Sequence, residues 1–303
     1  TTRHQVYSIE AVLPSGKIAH LGATLKKCST GFCLDQLIIG SEGTLGIITK
    51  ATLKLVPLCP YRLDVLAVFT DLAKATALVP KLVKAGLNPT SVEFMDNNFV
   101  RSASDYSELR LPHYEDGCYD IISIETFNEN ELDEKMEKLA AICEECGATD
   151  IVEADDRVWK VRRNCLESTR VFSKVATSED LVVPVTKIAD CIQTLVKESK
   201  KYDFRLFCLA HAGDGNLHFQ ILKCDMSDEE WNKQLKEFRA TAYKYVYGLG
   251  GRLSGEHGIG LKRLAYMEKY TDPVELELMK TIKKAIDPNW ILNPGKVIDF
   301  ENK

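Results

Sequence analysis

Short-period alternation of apolar and polar residues opens the chain. Residues 5–12 and 17–21 alternate around Pro14-Ser15-Gly16, and the pattern predicts a hairpin. The stretch 37–49 places Gly40, Gly43 and Gly46 between two apolar runs. Taken alone it reads as a Gly-rich turn between two buried strands. Glycines at this density also let a backbone approach a flat or charged ligand closely. A strand over 51–57 follows, and Pro57-Leu58-Cys59-Pro60 reads as a domain boundary.

Beyond it the period shifts between strand and helix. Residues 63–69 are a strand. Asp71 caps a helix that runs to Ala85, is stopped by Gly86 and should kink at Pro80. Residues 91–94 and 119–125 are strands, a charged amphipathic helix spans 129–146 before Gly147, and 150–153 is short and extended. Strand, helix, strand twice in succession predicts an antiparallel sheet with helices on one face, an α+β layer of ferredoxin-like type. Residues 98–116 are polar and irregular and are expected as a loop over a site. A helix over 155–174 carries Trp159, Arg162 and Arg163. A strand over 179–184, a helix over 185–201, a long helix over 229–247 and helices near 259–269 and 273–286 complete the order before the tail from Asp287.

Composition narrows the function classes. A chain of 303 residues can bury a sizeable core as one large or two ordinary domains. The formal net charge is −5 with Lys and Arg scattered, which gives nucleic acid or a membrane surface no basic patch to bind. The apolar runs are too short for a transmembrane helix. The ten cysteines are dispersed, as suits a reducing compartment, so a cytoplasmic location is expected, with peripheral membrane association left open. Cys143-Glu144-Glu145-Cys146 stands without a second pair and reads as ordinary helix cysteines.

Two segments carry the candidate chemistry. Apolar Leu206–Leu209 and alternating Leu217–Leu222 flank the turn Gly213-Asp214-Gly215. A hairpin closed there brings His211 and His218 close together on one face. Three of the six histidines lie here and in Ser254-Gly255-Glu256-His257-Gly258-Ile259-Gly260. Two imidazoles so held, with a carboxylate from elsewhere, make a divalent-metal site of the two-His-one-Glu kind. Histidines beside a turn are also often structural. Asp214 and Asn216 read as turn formers, and Glu42 as bonding within its own loop.

Four blocks in this order resemble one family: Ile39-Gly40-Ser41-Glu42-Gly43-Thr44-Leu45-Gly46-Ile47-Ile48-Thr49, the His211–His218 run, Gly255-Glu256-His257-Gly258-Ile259-Gly260, and Leu292-Asn293-Pro294-Gly295-Lys296. They are similar to the FAD-linked 2-hydroxyacid dehydrogenases (D-lactate dehydrogenase, glycolate oxidase, D-2-hydroxyglutarate dehydrogenase) of the vanillyl-alcohol-oxidase superfamily. The resemblance implies an α+β chain. It would hold the C-terminal half of an FAD-binding domain in residues 1–57, a ferredoxin-like antiparallel cap with the metal site in 58–286, and a tail, 287–303, packing back toward the flavin. It implies that His211, His218 and Glu256 hold a divalent metal, most often zinc, and that His257 is the general base. Arg162 would grip the substrate carboxylate, and Glu42, Gly43, Gly46, Ile48 and Asn293 would contact FAD.

The implied reaction is oxidation of a small D-2-hydroxy acid to the 2-oxo acid, with hydride passing to the flavin. A metal on the hydroxyl lowers its pKa and orients Cα. A neutral imidazole is the side chain suited to take a hydroxyl proton near neutral pH, and an arginine fork suits a carboxylate. Relatives acting on 2-hydroxyglutarate place a lysine near Ser178 and a threonine near Leu166, so lactate or glycolate is expected here. Phe32-Cys33 departs from the family's usual Tyr-Asp. The pyrophosphate-binding N-terminal half of the family's FAD domain is not among these residues. It is expected from a longer chain or a separate FAD-domain subunit, with an electron-transferring flavoprotein among the possible acceptors. The competing expectation is a non-catalytic cap fragment.

Overall fold

The computed structural model describes residues 2–299. β1 (Val6–Val12) pairs antiparallel with β2 (Ile18–Gly22) in the expected hairpin. On its other side β1 pairs with β3 (Ile47–Leu53), giving the order β2-β1-β3. Between β2 and β3, α1 (Leu34–Ile38) replaces the strand expected before the glycines. Five residues suffice for this helix because its apolar side seats Leu37 and Ile38 against Val6, Ile9, Ala11 and Leu45. β3 starts at residue 47 rather than 51 and is exposed along its whole length, so the two buried strands expected around the glycines are not formed.

Next along the chain come β4 (Tyr61–Phe69), α2 (Leu72–Lys84), β5 (Ser91–Met95), α3 (Asn97–Ser107), β6 (Cys118–Thr126), α4 (Glu129–Glu145) and β7 (Asp150–Glu153). Then follow α5 (Asp156–Arg163), α6 (Cys165–Ser168), β8 (Ala176–Val182), α7 (Ile188–Ser199), β9 (Arg205–His211), β10 (Asn216–Leu222) and α8 (Asp228–Gly248). The strands form one antiparallel sheet in the order β7-β4-β6-β5-β9-β10-β8.

Helices cover both faces of this sheet, not one. Alternate strand residues Leu66, Tyr119, Ile121, Phe207 and Leu209 form one core with α3 and α5. Asp120, which points the other way from Tyr119 and Ile121, senses Cys143 of α4. α4 contacts α2, α2 contacts α7, and α7 contacts α8, making the second helical layer. A second unexpected helix is α3, placed where the polar composition suggested a loop. Asp96 caps it by accepting from the Phe99 N–H at 2.9 Å, and the same carboxylate accepts from Cys208 N at 2.8 Å. Phe99, Val100 and Ala103 supply its buried stripe, and Phe99 meets Phe207 edge-on with centroids 5.3 Å apart. The helix expected over 155–174 is broken at Asn164, which leaves Arg162 in the last turn of α5.

α9 (Leu264–Tyr270) and α10 (Pro273–Ile286) end the chain's regular structure. The compact units are Thr1–Pro57 with Glu256–Lys303, and Leu58–Gly255. Residues 256–286, which the sequence groups with the cap, fall in the first of these units. The cause is packing: Ile282 and Ile286 of α10 join the core of β1 and α1. Buried Lys283 donates to the carbonyls of Thr44 at 2.7 Å and Leu292 at 2.8 Å, and pairs with Asp287. The last four residues of the expected tail, 300–303, lie outside the described residues.

Candidate metal centre

The β9–β10 hairpin closes as its sequence implies. Asn216 faces His211 in the register, and His218 faces Leu209. His211 and His218 are thus diagonal neighbours on one face, their rings 5.1 Å apart and nearly perpendicular. The turn depends on Gly215, whose φ is +76° and where a Cβ would lie 2.1 Å from the Val183 carbonyl oxygen.

Each imidazole has a carboxylate behind its Nδ1. His211 Nδ1 lies 2.8 Å from Oε1 of Glu93, which β5 sets opposite it in the sheet. An ionised carboxylate only accepts, so His211 donates to it from Nδ1. His218 Nδ1 lies 3.8 Å from Oδ1 of Asp180, again the residue opposite in the register. Asp180 is fully buried, and its Oδ2 accepts from Ser254 Oγ at 2.6 Å and Gly255 N at 3.1 Å. The chain is therefore pinned one residue before Glu256. The His211–Glu93 contact is of the kind by which a carboxylate on the other ring nitrogen commonly orients a metal-ligating histidine.

Glu93 has a second partner. Its Oε2 accepts from Arg162 Nη2 at 2.7 Å and Nε at 3.2 Å. Both side chains are largely buried, 13% exposed for Glu93 and 16% for Arg162. Burial alone would raise the Glu93 pKa, but the His211 hydrogen bond and the Arg162 charge hold it below the ordinary carboxylate value. Among the described residues, the Arg162 hydrogen bonds run from Nε and Nη2, leaving Nη1 for another acceptor.

Asn216, expected as a turn former, is a buried strand residue with Nδ2 3.4 Å from His218 Nε2. Its Oδ1 has no hydrogen-bond partner among the described residues, an opening for a ligand or ion. Gly255 packs against it so closely that a Cβ there would stand 2.2 Å from Oδ1. Glu93, Asp180 and Asn216 are the site residues that sequence reasoning missed.

The remaining expected residues lie in the other unit. Glu256 and His257 are both half-exposed, with a carboxylate oxygen 3.6 Å from His257 Nε2. Glu42 does not bond within its own loop. It accepts from Ile259 N at 2.6 Å and Gly260 N at 2.7 Å, tying the Gly-rich turn to the segment after His257. Asn293 Nδ2 donates to the Glu42 carbonyl and approaches Gly43. Gly46 packs on Ile38, while Ile48 is exposed on β3. Ile47, Ile48 and Leu53 are exposed apolar residues of β3, an edge strand among the described residues.

Residues 61–297 match the family described as FAD linked oxidases, C-terminal domain. The chain belongs to this family. Among its curated relatives, a D-lactate dehydrogenase of Archaeoglobus fulgidus is 36% identical, matching 98% of this chain and 65% of its own length. A D-lactate dehydrogenase of Anaerostipes hadrus is 35% identical, matching 98% of this chain and 64% of its own length. Glycolate oxidase subunit GlcD of Bacillus subtilis is 32% identical, matching 98% and 63%. The chain thus spans just under two thirds of these relatives. Substrate-bound p-cresol methylhydroxylase shares the fold with a TM-score of 0.75 at 16% identity, over 99% of this chain and 66% of that one. A 4-ethylphenol oxidase from Gulosibacter chungangensis does so with a TM-score of 0.74 at 14% identity, over 99% and 66%. These neighbours establish the fold class.

Proposed function

We propose that this chain takes part in the FAD- and divalent-metal-dependent oxidation of a small D-2-hydroxy acid to its 2-oxo acid. The observation that carries the reading is the pair of histidines brought together on one face of the β9–β10 hairpin, their rings 5.1 Å apart, with the Glu93 carboxylate 2.8 Å from His211 Nδ1. His211, His218 and Glu256 are the proposed metal ligands, zinc being the ion best suited to that donor set. Glu256 follows directly on Gly255, whose N–H is held by Asp180. Glu42, Gly43, Gly46, Ile48 and Asn293 are the proposed FAD contacts, Glu42 and Asn293 through the backbone they hold in place. When bound, the flavin accepts hydride from Cα and the metal acts as a Lewis acid on the substrate hydroxyl.

The chain's own groups do the rest. Arg162 Nη1 offers the substrate carboxylate a charged donor, with the guanidinium plane already fixed by Glu93. His257 takes the hydroxyl proton. Ser178, opposite Gln220 in the register, donates to the Gln220 amide. Ser178 stands where relatives acting on 2-hydroxyglutarate place a lysine, and the substrate proposed is a monocarboxylate such as lactate or glycolate. The names of the relatives, D-lactate dehydrogenase and glycolate oxidase subunit, agree with this class.

The test is reduction of a dye acceptor by D-lactate or glycolate with FAD supplied. Arg162→Ala is expected to raise KM at least about tenfold, the usual scale for removing a charged hydrogen bond. An unchanged KM takes Arg162 out of the substrate site. A second reading rests on the share of each relative that is matched: the chain holds the metal but oxidises nothing by itself. It is favoured if metal binds and no hydroxy acid reduces the dye.

A further inference from the structure

We propose that Glu93 is a positioning residue shared by the metal centre and the substrate grip, fixing His211 with one carboxylate oxygen and Arg162 with the other. The inference rests on the metal reading above and extends it to a residue that touches neither metal nor substrate.

Three elements converge on this one side chain. β5 and β9 pair with Glu93 and His211 as direct Cα partners, so the contact is built into the sheet register. α5 brings Arg162 to the same place because Val158 and Val161 are buried in the core on that face. The carboxylate then divides its oxygens: Oε1 faces His211 Nδ1 at 2.8 Å, while Oε2 faces Arg162 Nη2 at 2.7 Å and Nε at 3.2 Å. A residue needed only to hold α5 on the sheet would have no use for a divided carboxylate with an imidazole on one side. The division fixes the orientations of the His211 imidazole and the Arg162 guanidinium from a single side chain.

Glutamine separates this role from a simple ion pair. Its amide has one acceptor end and one donor end. Whichever way it turns, either His211 Nδ1–H or the Arg162 fork meets a donor. Aspartate keeps both acceptors but is one methylene shorter.

The experiment measures Zn2+ affinity of the purified chain by competition with a chromophoric chelator, and the visible spectrum of the Co2+ form, for wild type, Glu93→Gln, Glu93→Asp and His211→Ala. Glu93→Gln is expected to bind Zn2+ about 10–100-fold more weakly, the scale found when an outer carboxylate behind a ligand histidine is lost. Its Co2+ bands should shift, and Glu93→Asp should recover part of the affinity. Wild-type affinity and spectrum in Glu93→Gln, with binding lost in His211→Ala, overturn this proposal and leave the metal assignment standing. Wild-type affinity in His211→Ala overturns the metal assignment and this proposal with it. If Glu93→Gln does not fold, Glu93→Asp decides: an unaltered affinity and Co2+ spectrum overturn the proposal.

Discussion

Asp120 sits mid-strand in β6 with both carboxylate oxygens buried and, among the described residues, without a hydrogen-bond partner. Burial raises its pKa well above the ordinary value. The folded state therefore keeps this proton to a higher pH than the unfolded chain does. Stability falls by about 1.4 kcal/mol per pH unit as pH rises above about 4, until the folded pKa is reached. Asp120→Asn removes this slope. Its melting temperature should gain on wild type as pH rises above about 4, and a constant difference would show that Asp120 ionises freely in the fold. At this scale His211 and His218 were legible because a glycine turn and two apolar runs announce their hairpin. Glu93 was not. Its alternating neighbours Val92 and Phe94 show which face it takes, but its partners lie 118 and 69 residues away and leave no local trace.

Turn chemistry dominates among the elements. The hairpin that holds both histidines closes through Gly215, at positive φ and against the Val183 carbonyl. Gly215→Ala must strain the backbone and displace that carbonyl, with a destabilisation on the order of 1–3 kcal/mol. Denaturant melts should record this loss, and metal affinity should fall with it. A variant as stable as wild type with intact metal binding would show that the turn tolerates a side chain. Strong apolar periods located the strands and long helices well. α3 stayed hidden because Asn, Ser and Asp dilute its three-residue apolar stripe, and its Asp96 cap accepts from a strand 112 residues away. The break at Asn164 was also illegible, since the residues on either side are both helical.

Across the whole molecule, the antiparallel sheet and the family were readable in the sequence. The second helical face was not, because it is decided by which distant surface buries an apolar stripe. Cys143 and Cys146 are buried, and desolvation pushes the Cys143 thiol up to about 12, which suits core packing rather than thiolate chemistry. Among the described residues no helix is long and apolar enough to cross a membrane. The central claim is that one divalent ion sits on His211, His218 and Glu256. Its most direct test is elemental analysis of the purified chain beside His211→Ala, with absorbance at about 450 nm read on the same samples for flavin. The expected result is about one zinc-type ion per wild-type chain and almost none in the variant, whatever the flavin content. Equal metal in both proteins, or none in a folded wild type supplied with zinc, would contradict it.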